Sequence, residues 1–167
     1  MAENRMIDPR QDREGHFYKM ALELTAAGGL AFWLTNFAIS LTPIAAEYRA
    51  ALTISYFPML LEALISGVVV SFLVSYSLLR FFDRIPTKNI IMKSMILSFT
   101  ALLIATILIE IPSSFTAKGE VLRYFLIGAL INLLRFLALG IVVGFFCTRM
   151  VGRLVPSKVN PNSPREV

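Results

Sequence analysis

The stretch VLRYFLIGALINLLRFLALGIVVGFFC, residues 121–147, decides the fold. It is apolar at nearly every position, and about 27 helical residues at about 1.5 Å each exceed the roughly 30 Å hydrocarbon core of a bilayer. Arg135 sits near its middle, roughly 20 Å from either end, too deep for its side chain to snorkel to an interface. A cation at that depth needs a partner inside the protein or a wet cavity. Arg135 is therefore the first candidate functional residue.

Outward from this segment, the whole chain has the same character. Of 167 residues, 56% are hydrophobic and only 16% charged, and the mean hydropathy is +0.69. This composition belongs to a membrane domain rather than a soluble one. The net charge of +5 is spread over helix ends and tails, which points to the anionic surface of a lipid bilayer and away from nucleic acid. Cys147 is the single cysteine, so an intrachain disulfide or cysteine metal site is excluded. A small packing residue is the simpler reading than an acylation site.

Three more apolar segments precede this one, and the expected fold class is an all-α membrane protein, a four-transmembrane-helix bundle built from two antiparallel helical hairpins. The spans are placed at about 20–46, 54–82, 90–111 and 121–148, inside a transmembrane domain over 17–148. Residues 1–16 read as a solvated cytoplasmic tail, and residues 149–167, with Pro156, Pro161 and Pro164, as a disordered basic tail. Phe17, Tyr18 and Lys19 look like an interfacial anchor, and the first apolar run is too long for a signal-peptide core. His16, the only histidine, sits at that interface without companions for a metal site. Thr42, Pro43, Glu47, Tyr48 and Arg49 are expected to form a short turn between spans one and two. Lys93, near the start of span three, is expected to snorkel.

Lysine and arginine set the orientation. Arg5, Arg10, Arg13, Lys19, Arg80, Arg84, Lys88, Lys93, Arg149, Arg153, Lys158 and Arg165 fall on one side, against Arg49, Lys118 and Arg123 on the other. The positive-inside rule then places both termini in the cytoplasm. Lys19, Pro43, Arg80 and Arg84 also align by a constant shift with Lys88, Pro112, Arg149 and Arg153. Either a tandem duplication or any four evenly spaced helices with basic inner ends would give this pattern.

Two groups of residues stand out within the spans. The small residues Gly67, Ser71 and Ser75, and the pair Gly140 and Gly144, recur every four positions and mark helix-packing strips. The intramembrane polar set is Glu62, Asn132, Arg135 and Asn36. Asn132 and Arg135, three apart, share one helical face. Glu62 lies about 12 Å inward from the start of its span and Arg135 about 20 Å from the start of its own, within reach of two long side chains. An ion pair between them is the expectation.

No metal-ligand pair, phosphate loop or nucleophile with its base occurs in the sequence, so it reads as a non-enzyme without a cofactor. Two functions fit: a non-catalytic membrane subunit, assembly factor or scaffold, with Glu62 and Arg135 fixing helix register, or an oligomeric small transporter or channel using the same two charges. A homo-oligomer or a larger membrane complex is the partner expected in either case.

Overall fold

The computed structural model describes residues 9–114 and 121–154, all helix and connecting turns. Helix α1 runs Pro9–Ser40, α2 Pro43–Ala51, α3 Tyr56–Arg80 and α4 Ile90–Ala105. A turn of π-helix, Thr106–Glu110, and a short helix α5, Ile111–Ser114, extend α4, and α6 spans Val121–Leu154. Four of these helices are long and apolar enough to cross a membrane.

The helix boundaries differ from the expected span limits. Helix begins at Pro9, inside the segment expected to be a solvated tail, and the first long helix stops at Ser40 rather than near residue 46. The expected turn at Thr42–Arg49 is largely the nine-residue helix α2. The Ala45 amide donates to Thr42 Oγ1 at 3.3 Å, and Pro43 occupies the first turn, where its missing N–H costs nothing. At the other end, α6 continues six residues past the expected boundary at 148, to Leu154. The remainder of both expected tails lies outside the described residues.

Proline chemistry shapes the far end of α4. Pro112 has no N–H, and its ring would collide with the carbonyl four residues back in a regular helix. The chain widens instead into the π turn, where the Ile111 amide donates to the Thr106 carbonyl.

Helix α1 packs against both α3 and α6, α4 packs against α6 and touches α3, and α3 and α6 lie diagonally opposed with little contact. Small residues make the close approaches. A methyl group added at Gly28 would lie 2.4 Å from Ser71 Oγ, and one at Gly67 would lie 2.8 Å from the Phe32 ring. On the other pair, a methyl at Gly140 would lie 3.0 Å from Ser98 Cβ and one at Gly144 2.8 Å from Ile91 Cα. These contacts, with Ser71 Oγ donating to the Leu24 carbonyl and Ser98 Oγ to that of Phe136, lie toward the end of the bundle where α1 begins and α6 ends. There the core closes completely: Leu24, Leu78, Leu139, Val143 and Cys147 are 0% exposed.

Lys93 differs from expectation. It is 7% exposed and does not snorkel: its Nζ donates to the Phe82 carbonyl and lies 4.0 Å from the centre of the Phe82 ring. At the same end Phe17 meets Tyr18 and Tyr76 edge to face, beside Arg80.

Candidate functional site

The small-residue contacts draw the helices together at one end, and at the α2 end the same helices diverge. A cavity of about 220 Å³ opens there, lined by all four long helices, by α2 and by the α2–α3 connection. Its floor is Phe32, Val70 and Phe136, with Phe32 and Phe136 meeting edge to face at a centroid distance of 5.6 Å. The π turn contributes Ile109 to the wall, and Gly128 lets α6 present bare backbone.

Glu62, Asn132 and Arg135 all line this cavity. Three residues apart on α6, Arg135 Nη1 donates to Asn132 Oδ1 at 3.1 Å. The guanidinium lies 5.8 Å from the centre of the Phe32 ring, a cation–π contact from α1 across to α6. A planar cation suits this position, since its face stacks on an aromatic ring while its edge donates hydrogen bonds.

Glu62 faces the cavity from α3, the helix diagonal to α6. The expected ion pair of Glu62 with Arg135 is not formed; Glu47 Oε1 instead pairs with Arg123 Nη2 at 2.7 Å, which ties the start of α6 to α2. Helix divergence is the reason: Gly67 and Ser71 hold α3 close to α1, and nothing of that size draws it toward α6. Glu62 makes no hydrogen bond or ion pair with a described residue.

Asn36 falls outside the cavity lining. It is 1% exposed on α1, one turn beyond Phe32, and its Nδ2 has no hydrogen-bond partner among the described residues. The packing residues Gly67, Ser71 and Ser75 are buried on α3, as are Gly140 and Gly144 on α6. Ser94 and Ser98 of α4, which the sequence reading did not single out, are buried as well and complete the α4–α6 contact. Their spacing of four is the same signal that marks the other strips.

The cavity mouth is shaped by an unusual helix end. Helix α2 terminates with the Ile54 amide donating to the Arg49 carbonyl and the Thr53 amide to that of Ala50. This pairing places Thr53 in the left-handed position that glycine ordinarily fills, at φ 53°. A β-branched residue there is strained. Its neighbours Leu52 and Ile54 both line the cavity.

Among the described residues, no group of three or more His, Cys, Asp or Glu side chains is placed to hold a metal ion. No family model matches the chain, and neither a curated protein nor a solved structure matches it.

Proposed function

We propose that this chain is a multi-pass integral membrane protein of two antiparallel hairpins, α1 with α3 and α4 with α6, with both termini cytoplasmic, serving as a non-catalytic subunit, assembly factor or scaffold of a larger membrane assembly. Contacts that run in opposite order support the hairpins: Trp33 Nε1 donates to the Leu60 carbonyl while Gly28 meets Ser71, and Gly140 meets Ser98 while Gly144 meets Ser94. The belt of Phe17, Tyr18 and Tyr76 beside Arg80 suits a membrane interface on the cytoplasmic side.

One observation carries the choice between the two functions. The cavity ends on Phe32, Val70 and Phe136, and below it the core side chains are wholly inaccessible. A carrier or channel formed by a single bundle needs a route to both faces, and a dead-end cavity supplies only one. The transporter reading draws its support from Glu62 and Arg135 facing one cavity, and requires a second copy to complete a path.

The test is purification of the tagged full chain from its native membrane in mild detergent. The expected result is recovery in fixed ratio with one larger membrane complex, and no proton or anion flux when the chain alone is placed in liposomes. Purification as the chain alone, together with a flux that Glu62→Gln abolishes, overturns the subunit reading in favour of the carrier.

A further inference from the structure

The segment 41–55, which carries α2 and leads to the start of α3, is held firmly at its base and lightly at its far side. At the base its two flanking residues meet: Ser40 Oγ and the Tyr56 hydroxyl are hydrogen-bonded at 3.4 Å. Arg49 fastens the same point, with Nη1 donating to the Ser40 carbonyl at 3.0 Å and the guanidinium 5.0 Å from the centre of the Tyr56 ring. Of the described residues of α2, only the small side chain of Ala45 is buried, and Ile44 faces outward. The far side reaches α6 through Glu47 Oε1 and Arg123 Nη2, 2.7 Å apart, with both side chains about half exposed. An ion pair in that setting is weak and screened by salt.

We propose that residues 41–55 form a lid on the cavity, pivoting on the base where Ser40 meets Tyr56 and latched to α6 by Glu47 and Arg123. Tyr48, Leu52 and Ile54 all line the cavity, so movement of this segment away from α6 widens its mouth. A segment of this length whose ends touch can turn about its base without disturbing the helices that carry it. Thr53 biases that turn. Its φ of 53° is held while the Thr53 and Ile54 amides donate to the carbonyls of Ala50 and Arg49. Released from that corner, a β-branched residue returns to the ordinary region of backbone space. Opening therefore breaks an exposed ion pair and relieves a strained torsion. The glycine and serine contacts of the long helices stay as they are, because they lie at the closed end of the bundle.

The lid is built from this chain alone and stands whether or not the chain belongs to a larger assembly. The experiment introduces Ser66→Cys in the cavity wall and follows its reaction with N-ethylmaleimide, an uncharged reagent, in the purified full chain in detergent. Each cysteine is read separately by peptide mass spectrometry. Native Cys147, 0% exposed in the closed core, reports any general loosening of the bundle. Adding Glu47→Gln should raise the rate at the cavity cysteine by about twofold to fivefold, the range of population change that an exposed ion pair controls, and leave Cys147 unreactive. In the chain that keeps Glu47, raising salt from about 0.05 M to about 0.5 M should also raise the rate, and in Glu47→Gln it should not. Equal rates with and without Glu47, an equal salt response in both chains, or Cys147 becoming reactive in step with the cavity site each overturn the proposal. The salt series on the chain that keeps Glu47 decides even if the variant fails to fold, since a rate indifferent to salt refutes the latch.

Discussion

Alanine at Gly144 probes the closest approach of backbone between α4 and α6. A methyl group there would lie 2.8 Å from Ile91 Cα and 3.2 Å from Ser94 Cβ. Because the nearer atom belongs to backbone, no rotamer change relieves the overlap. Helix α4 has to retreat by about 0.5 Å, and a gap of about 0.5–1 Å forfeits a quarter to a half of the dispersion attraction of each atom pair across it. Overpacking of this kind costs about 1–3 kcal/mol. Against it stands the gain from replacing glycine in a helix, about 1 kcal/mol. Gly152 supplies the control, since nothing lies within 4 Å of a methyl group added there. Gly152→Ala should therefore gain the helix term alone, and Gly140→Ala, at 3.0 Å from a serine side chain, should fall between the two. Melting midpoints of the three variants in one detergent should separate Gly152→Ala from Gly144→Ala by about 2 to 12 °C, at about 2–4 °C per kcal/mol. Equal midpoints for Gly144→Ala and Gly152→Ala would refute the close packing of α4 on α6.

Three further outcomes are expected. Ser98→Ala removes the 2.5 Å hydrogen bond to the Phe136 carbonyl and should destabilise by about 1 kcal/mol, whereas Ser94→Ala removes a buried hydroxyl with no partner among the described residues and should be neutral or stabilising. Reversal of that order in the same melting assay would mean that the two serines exchange roles. Thr53→Gly should relieve left-handed strain and stabilise by about 1 kcal/mol, and a lower melting midpoint would contradict the strain assigned to the helix end. In a Cys147→Ser background, a cysteine at Ser114 should react with an impermeant maleimide outside intact cells and one at Asn160 should not; the opposite labelling pattern would invert the topology.

Local chemistry made much of this protein legible in its sequence. Four apolar runs, each long enough to cross a bilayer, specify four long helices. The contact of Arg135 with Asn132 follows from a spacing of three on one helix, and the strips of glycine and serine announce where helices come close. Helix α2 and the π turn were local as well, written in Thr42–Pro43 and in Pro112, but their effect depends on how the chain continues around them.

Only the tertiary structure decided which helices are neighbours. Between helices that are apolar on most faces, partner choice rests on small differences in packing that one segment does not contain. The structure placed α1 between α3 and α6, turned Lys93 inward onto the Phe82 carbonyl, and set α3 diagonal to α6. That last choice separated Glu62 from Arg135. Depth along each helix, readable from residue numbers, put the two charges within reach; azimuth and divergence, fixed by Gly67 and Ser71 against α1, left a cavity between them instead of an ion pair.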